Sequence, residues 1–204
     1  YTCDEKSDWY PDLDDVRSKV TPKTKALLII NPNNPTGAVY PKEILEGLIQ
    51  IARENKLVLL SDEIYDRLLM DGYEHYSTAA LAPDMPVITF NGLSKSHIIC
   101  GFRCGWLIVS GPESFTKPMI ETIQNIAAMR LCGNALTQLV IPAALADDAS
   151  TQAMMVPGGR IYEQRRATLE ALDEIPGISY VKNHAAFYLF PRIDTKRFNI
   201  TSDK

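Results

Sequence analysis

The chain has 204 residues and a net charge of −4, and 46% of its residues are hydrophobic, which is typical of one or two globular domains. This charge excludes a basic nucleic-acid footprint and a polybasic membrane patch, and no apolar run approaches the ~20 residues of a membrane-spanning helix. The cysteines form no Cys-x-x-Cys pair, so we expect no metal site and a reducing, cytoplasmic compartment. Because the chain begins at Tyr1, we expect a piece of a longer protein.

The first sixty residues alternate between helix and strand patterns. Residues 12–16 read as a helix start, with acidic side chains near the positive end of the helix dipole. The continuous apolar run at residues 26–30 predicts a parallel strand that is covered on both faces. After a proline-rich turn at residues 31–37, we predict a helix from Pro41 to about Asn55 and a buried strand at residues 57–60. This order indicates a right-handed parallel crossover.

The middle of the chain continues the same pattern. Residues 71–86 are loop-like, and apolar runs predict strands at residues 87–90 and 105–109. Pro142 predicts a kink in the second of three helices that follow. These predicted helices span about residues 118–129, 134–146 and 159–172.

The alternation of strand and helix patterns stops near the end of the chain. Residues 178–181 and 186–190 are strand-like and have no crossover helix between them, so they predict a small antiparallel hairpin. We therefore expect residues 1–151 to form most of a large domain. Residues 152–204 are expected to form a connecting helix and the beginning of a smaller α+β domain.

Polar residues with reactive or ligand-binding side chains follow three of the predicted strands. Asn34 follows the first strand, Asp62 and Tyr65 follow the second, and Lys95 and Arg103 follow the third. Ligands of open α/β sheets bind at the carboxyl ends of strands. A lysine can form a Schiff base with a carbonyl compound, and a guanidinium can bind a phosphate with two hydrogen bonds. Two ordinary surface cations remain the alternative when the lysine loop is considered alone.

Three blocks of this sequence together resemble the class I, fold-type I aminotransferases. They read Asn-Pro-Asn-Asn-Pro-Thr-Gly at residues 31–37, Ser-Asp-Glu-Ile-Tyr at residues 61–65, and Gly-Leu-Ser-Lys with Gly-Phe-Arg-Cys-Gly-Trp at residues 92–95 and 101–106. They occur in the family's order. Further stretches, such as Asp-Trp-Tyr-Pro-Asp-Leu-Asp-Asp at residues 8–15, resemble bacterial glutamate–pyruvate (alanine) aminotransferases. The resemblance covers the whole chain.

The resemblance implies a three-layer α/β sandwich with a mostly parallel sheet and pyridoxal phosphate as the cofactor. Lys95 matches the family's Schiff-base lysine, which would hold the cofactor as an internal aldimine. Asp62 matches the partner of the ring nitrogen, and Tyr65 matches the partner of the ring oxygen. Asn34 matches a residue that contacts both the ring oxygen and the substrate's carboxylate. The implied reaction moves an amino group between an amino acid, alanine, and a 2-oxo acid, 2-oxoglutarate.

The resemblance also implies a phosphate site and a larger assembly. Arg103 matches the phosphate arginine, and Ser94 a phosphate serine, although some members have this serine three residues before the lysine, where Gly92 stands here. Family members are usually homodimers with shared sites. They also carry an earlier phosphate cup and a later carboxylate-binding arginine, neither of which this chain supplies. We therefore expect residues 1–204 alone to be inactive.

Two other functions stay open on the sequence. A carbon–sulfur lyase on the same fold would use nearly the same residues, because a fold does not fix the reaction. The chain is also compatible with the effector-binding half of a transcription regulator that has an aminotransferase-like domain. Such a regulator would carry a basic DNA-binding domain upstream.

Overall fold

The computed structural model describes residues 1–201. The strands are β1 (Cys3–Asp4), β2 (Tyr10–Pro11), β3 (Ala26–Ile30), β4 (Val58–Asp62), β5 (Val87–Gly92), β6 (Gly105–Ser110), β7 (Ile178–Ser179) and β8 (Arg192–Ile193). The α-helices are α1 (Leu13–Lys19), α2 (Lys42–Glu54), α3 (Thr78–Leu81), α4 (Leu93–Ser96), α5 (Glu113–Ala128), α6 (Ala135–Gln138), α7 (Ile141–Ala146), α8 (Asp148–Met155) and α9 (Arg160–Asp173). None of the helices in this part of the chain is long and apolar enough to cross a membrane.

The central sheet has the strand order β3-β4-β5-β6. Strands β3, β4 and β5 are parallel, whereas β6 runs antiparallel to β5. The register pairs Ile30 with Asp62 and Asp62 with Phe90. The prediction of a mostly parallel sheet is therefore confirmed, and the three parallel strands end at one edge.

The main hydrophobic core lies between α2 and the sheet. Helix α2 buries one face, which comprises Leu45, Leu48, Ile49, Ile51 and Ala52. Each large apolar side chain buried in this way contributes roughly 1.5–3 kcal/mol to folding. Strand β3 contributes Leu27 and Ile29 to the same core, but Leu28 is 47% exposed. The expectation that both faces of β3 are covered is thus not met within residues 1–201, because Leu28 points away from this core.

The helical region after β6 differs from the prediction in detail. The predicted helix at residues 134–146 is divided into α6 and α7, and Pro142 lies in the first turn of α7. A proline is tolerated there because the first turn has no intrahelical partner for its missing N–H. Pro142 therefore marks the start of a helix and not a kink. Helix α8 was not predicted as a separate element.

The predicted hairpin between residues 178–181 and 186–190 is wrong. Strand β7 pairs with β8, and residues 186–190 form no strand. The Ala186 N–H donates to the Leu68 carbonyl over 2.9 Å, and Ala185 forms an isolated bridge with Leu69. The backbone groups that a hairpin needs are therefore bonded to the turn after β4.

Residues 183–188, the crossing segment, are held against the loops at the sheet edge. The N–H groups of His184 and Ala185 both donate to the Gly37 carbonyl, at 3.0 and 3.1 Å. Gly37 has a φ of +69°, and a Cβ there would lie 2.4 Å from the Cβ of Asn183. Only glycine allows this approach without displacing the crossing segment.

An ion pair fastens α9 to the same region. Arg165, which is 8% exposed, donates two hydrogen bonds of 2.7 and 2.8 Å to the Asp71 carboxylate and one of 2.9 Å to the Asn183 carbonyl. The Arg165 hydrogen bonds hold the pKa of Asp71 well below its usual range, and Lys182 and His184 add to this effect. The carboxylate therefore stays ionised down to acidic pH.

We predict that Asp71→Asn destabilises the full-length protein near neutral pH. The loss should be about 1 kcal/mol in the free energy of unfolding, because solvent partly screens Asp71. A carboxyl with a depressed pKa stabilises the fold above the unfolded pKa of about 4 and loses that contribution as pH falls further. Thermal unfolding of both proteins should therefore differ by a constant amount from pH 5 to 8 and converge below about pH 4.

The matched control is Asp14→Asn, which removes a carboxylate from a solvent-exposed pair with Arg17. Exposed pairs contribute little to stability, so this variant should unfold like the wild type. An Asp71→Asn protein that unfolds like the Asp14→Asn protein at every pH would contradict the fastening role of the Arg165 pair.

Candidate active site

Three neighbouring strands end at one edge of the sheet, and a predicted site residue lies at or just after the end of each. Asp62 is the last residue of β4, Asn34 lies in the turn after β3, and Lys95 lies in α4, which directly follows β5. Parallel strands place their carboxyl ends at the same edge, which is where ligands bind in open α/β sheets. The sheet therefore gathers residues that are far apart in sequence.

Tyr65 lies in the turn after β4 and is only 2% exposed. Its hydroxyl donates a hydrogen bond of 3.0 Å to the hydroxyl of Tyr188, and the two rings pack edge-on with centroids 5.7 Å apart. Burial raises the pKa of Tyr65, the Tyr188 hydroxyl and the Asp62 carboxylate raise it further, and the Asn34 side chain lowers it. Tyr65 is therefore protonated at neutral pH, with Asn34 and Asp62 close to its hydroxyl.

Lys95 reaches the Tyr188 hydroxyl as well. Its Nζ donates to Tyr188 Oη in a long hydrogen bond of 3.5 Å and lies 5.8 Å from the centre of the Phe187 ring. The aromatic face attracts the ammonium and favours this position of the lysine. These contacts join Tyr65, Lys95 and Tyr188. Asn34 and Asp62 lie at the neighbouring strand ends and both influence the pKa of Tyr65, so we call all five residues the strand-end cluster: Asn34, Asp62, Tyr65, Lys95 and Tyr188.

The Asp62 carboxylate keeps acceptor capacity for a ligand. Its Oδ1 accepts the Ile64 N–H over 3.1 Å, and no side chain among residues 1–201 donates to it. Its own carbonyl accepts the N–H of Asn31 from the neighbouring strand end, also over 3.1 Å. Backbone bonds therefore fix Asp62 in place while most of its carboxylate lone pairs remain free.

Behind Asp62, the buried carboxylate of Glu63 organises the turn. Glu63 is 4% exposed and accepts hydrogen bonds from the Ser61 hydroxyl, the Thr78 N–H and the His75 ring at 2.9, 3.0 and 3.1 Å. Burial alone would raise the pKa of Glu63, but His75, together with these donors, brings it below the usual value. A buried carboxylate that is fully hydrogen-bonded holds its surroundings rigidly.

A second carboxylate, that of the half-buried Asp66, connects the turn after β4 to the strand end that precedes Lys95. Asn91 donates to Asp66 over 2.9 Å, and the Asn91 side-chain oxygen accepts the Gly92 N–H over 2.7 Å. A Cβ at Gly92 would lie 2.8 Å from the Cys104 carbonyl, so a larger residue would push β5 and β6 apart. The chain therefore enters α4 along one defined path.

The two predicted phosphate residues are not brought to the cluster by any contact within residues 1–201. Arg103 is exposed, has a left-handed φ of +51°, and donates to the Cys100 carbonyl over 3.0 Å. Ser94 is half-buried beside Lys95 in α4 and forms no side-chain hydrogen bond in this part of the chain. Their phosphate roles remain predictions.

Sequence reasoning missed three residues at this site: Glu63, His75 and Tyr188. A signal exists for Glu63, since the period of a strand turns its side chain away from Asp62, where a buried carboxylate needs partners. No local pattern indicates His75 or Tyr188. Their partners lie 12 to 123 residues away, and only the folded chain brings them together.

Comparison with known proteins agrees with this geometry. The family described as aminotransferase class I and II matches residues 1–203. The glutamate–pyruvate aminotransferase AlaA of Escherichia coli is 52% identical over all of this chain, and an alanine aminotransferase of Mycobacterium bovis is 48% identical. The crystal structure of an aminotransferase from Escherichia coli superposes on 98% of the chain with a TM-score of 0.95 and 53% identity.

These relatives are longer proteins. The chain spans about half the length of the curated relatives it matches, namely 50% of the Escherichia coli protein and 48% of the Mycobacterium bovis protein, and 50% of the crystal-structure chain. The match nevertheless covers nearly every residue of this sequence and includes all three strand ends. The chain therefore belongs to the class I and II aminotransferases, a family of enzymes that depend on pyridoxal phosphate.

Proposed function

We propose that the full-length protein is an aminotransferase that moves an amino group between L-alanine and 2-oxoglutarate, with pyridoxal phosphate as its cofactor. The observation that carries this proposal is the strand-end cluster, in which an amine, a phenol and a carboxylate meet at the edge of one sheet. Similarity to enzymes named glutamate–pyruvate and alanine aminotransferase supports this choice of substrates.

The chemistry of the cluster fits this cofactor. Lys95 offers a primary amine, Tyr65 a protonated hydroxyl, and Asp62 a carboxylate with free acceptor capacity. When bound, pyridoxal phosphate supplies an aldehyde that condenses with amines and a ring that accepts electrons from the substrate's α-carbon. An amine, a hydroxyl donor and an acceptor carboxylate are the three groups that such a ring system needs from the protein.

Each residue then has a distinct role in the proposed reaction. Lys95 would hold the cofactor through Nζ and, once released, would move a proton to and from the substrate's α-carbon. Asp62 would accept a hydrogen bond from the ring nitrogen and favour its protonated form. Asn34 and Tyr65 would donate to the ring oxygen, and Asn34 would also bind the carboxylate of the substrate.

The phosphate completes the proposed cofactor site. Ser94 and Arg103 follow the same strand as Lys95, and the Arg103 guanidinium is free of any carboxylate partner among residues 1–201. Arg103 donates to the neutral carbonyl of Cys100, and a doubly charged phosphate would be a stronger acceptor for the same guanidinium. We propose that both residues bind the phosphate.

The proposal extends to the assembly of the whole protein. Helix α5 buries no residue completely, and the segment that follows leaves Met129 and Leu131 exposed by 83% and 89%. Apolar side chains this exposed favour coverage by further protein, either by the rest of a longer chain or by a second copy. We propose that the full-length protein is a homodimer, and its free cysteines fit a location in the cytoplasm. We place the boundary between the large and small domains at residues 151 and 152, which lie inside α8.

The proposed activity is tested with purified full-length protein, pyridoxal phosphate, L-alanine and 2-oxoglutarate. We expect pyruvate and glutamate in equal amounts. A carbon–sulfur lyase would instead cleave the C–S bond of cystathionine and, with water, release homocysteine, pyruvate and ammonia without consuming a 2-oxo acid as amino acceptor. Cleavage of cystathionine without any glutamate formed from L-alanine and 2-oxoglutarate would contradict the proposal. A protein that turns over neither cystathionine nor this pair of substrates would contradict it too.

We predict that Asp62→Ala in the full-length enzyme lowers kcat about 10²–10³-fold, because a charge that supports the electron-accepting ring is removed. Asp62→Glu should recover little, since the added methylene displaces the carboxylate. The melting temperature should change by only a few degrees, because the substitution removes one hydrogen bond, the one from the Ile64 N–H. Single-turnover kinetics and thermal unfolding provide the two measurements.

Asp84→Ala is the matched control, since Asp84 pairs with Arg53 on the surface, outside the cluster. Its kcat should equal that of the wild type. A near-normal single-turnover rate in Asp62→Ala would show that this carboxylate does not support the ring.

A further inference from the structure

We propose that Tyr188 is a further residue of the reaction site, whose hydroxyl oxygen accepts hydrogen bonds from both Lys95 Nζ and Tyr65 Oη and favours the protonated state of the reacting nitrogen. The two distances are 3.5 and 3.0 Å. The inference rests on the proposed function, in which Lys95 is the reacting amine. It adds a residue from beyond α9 to a site otherwise built from the strand ends.

The backbone fixes the position of Tyr188. Within the crossing segment, Ala186 donates to the Leu68 carbonyl over 2.9 Å, and the His184 carbonyl accepts the Met70 N–H over 2.8 Å. Both partners belong to the stretch that follows Tyr65. Backbone hydrogen bonds to the stretch after Tyr65 therefore fix the segment that carries Tyr188, so the position of its hydroxyl does not depend on the side chain alone.

Ring packing restricts the hydroxyl further. Tyr188 meets Tyr65 edge-on, with ring planes at 82°, and its ring centroid is 4.9 Å from that of Phe187. Such arrangements are favoured contacts between aromatic rings. Tyr188→Phe keeps this packing and removes only the oxygen, so the effect of the hydroxyl can be measured separately.

The chemistry follows from the hydrogen-bonding capacity of a phenol. A tyrosine oxygen can accept two hydrogen bonds, and Lys95 and Tyr65 use both positions. An acceptor next to a nitrogen stabilises its protonated form. The same oxygen also engages the proton of Tyr65, which becomes available to other acceptors if the oxygen is removed.

The charged and titratable groups near this oxygen come from three elements and from its own segment. Arg165 of α9 lines a cavity together with Tyr188, but its hydrogen bonds go to Asp71 and the Asn183 carbonyl. Lys95 approaches from α4, and Tyr65, with Asp62 nearby, approaches from the turn after β4. His184, from the crossing segment itself, is bonded to Asp71 instead. A change in protonation after removal of the Tyr188 hydroxyl can therefore be assigned to this small group.

The test uses full-length Tyr188→Phe loaded with pyridoxal phosphate. The visible absorption of the bound cofactor is recorded against pH without substrate, and the expected result is a midpoint lowered by about half a pH unit or more. The control is Tyr180→Phe, which loses a hydroxyl that donates to Asp173 over 2.7 Å, outside the cluster. Its midpoint should equal that of the wild type. An unchanged midpoint in Tyr188→Phe would overturn the inference.

A double substitution separates the two contacts of Tyr188. Tyr65→Phe already removes the hydrogen bond between Tyr65 and Tyr188. Adding Tyr188→Phe to this variant should still lower the midpoint, because it removes the remaining contact with Lys95. If it has no effect there, the direct contact with Lys95 is refuted.

Borohydride reduction followed by peptide mapping keeps this test distinct from that of the proposed function. We expect the pyridoxyl label on Lys95 in the wild type and in Tyr188→Phe. A labelled Lys95 with an unchanged midpoint refutes only the role of Tyr188. A wild-type label on Lys56 or Lys117, with none on Lys95, refutes the proposed function and this inference with it.

Discussion

The parallel register of β3, β4 and β5 is the constraint on which the site depends. It pairs Ile30 with Asp62 and Asp62 with Phe90, so that three loops begin at the same edge of the sheet. A slip of one residue would turn Asp62 to the opposite face, because side chains alternate along a strand. The buried apolar residues that flank these pairs, such as Ile29 and Leu59, fix the register and thereby the site.

A buried and a half-buried carboxylate in the turn after β4 add to the constraint that the register imposes. Glu63 and Asp66 lie on either side of Tyr65 in sequence, and each bonds to a different neighbouring element. Leaving such a carboxylate without partners would be strongly unfavourable, so the turn has few alternative conformations. The crossing segment then closes the arrangement through its backbone bonds to Gly37 and Leu68. Rigid support of this kind holds reacting groups in place before a ligand arrives.

Much of this fold could be predicted from the sequence because its signals are local. The apolar runs at residues 26–30 and 87–90 and the amphipathic pattern of α2 each lie within one element. The hairpin prediction failed because the Ala186 N–H donates to the Leu68 carbonyl, and no local sequence pattern indicates this distant partner. Tyr188 was missed for the same reason. The positions of Asn34, Asp62, Tyr65 and Lys95 were predicted from strand ends, whereas the orientation of Arg103 depends on a left-handed backbone that its flanking residues did not indicate.

The central claim, that Lys95 supplies the amine that moves the proton, is tested most directly by chemical rescue. Full-length Lys95→Ala should lose about 10²–10⁴-fold or more in its single-turnover rate with L-alanine. Methylamine should then restore part of that rate in proportion to its concentration, because it can occupy the space left by the side chain. Lys117→Ala removes an exposed lysine from α5. It should keep the wild-type rate, and methylamine should not change that rate. A Lys95→Ala enzyme with a near-normal rate, or one that no small amine accelerates, would contradict the claim.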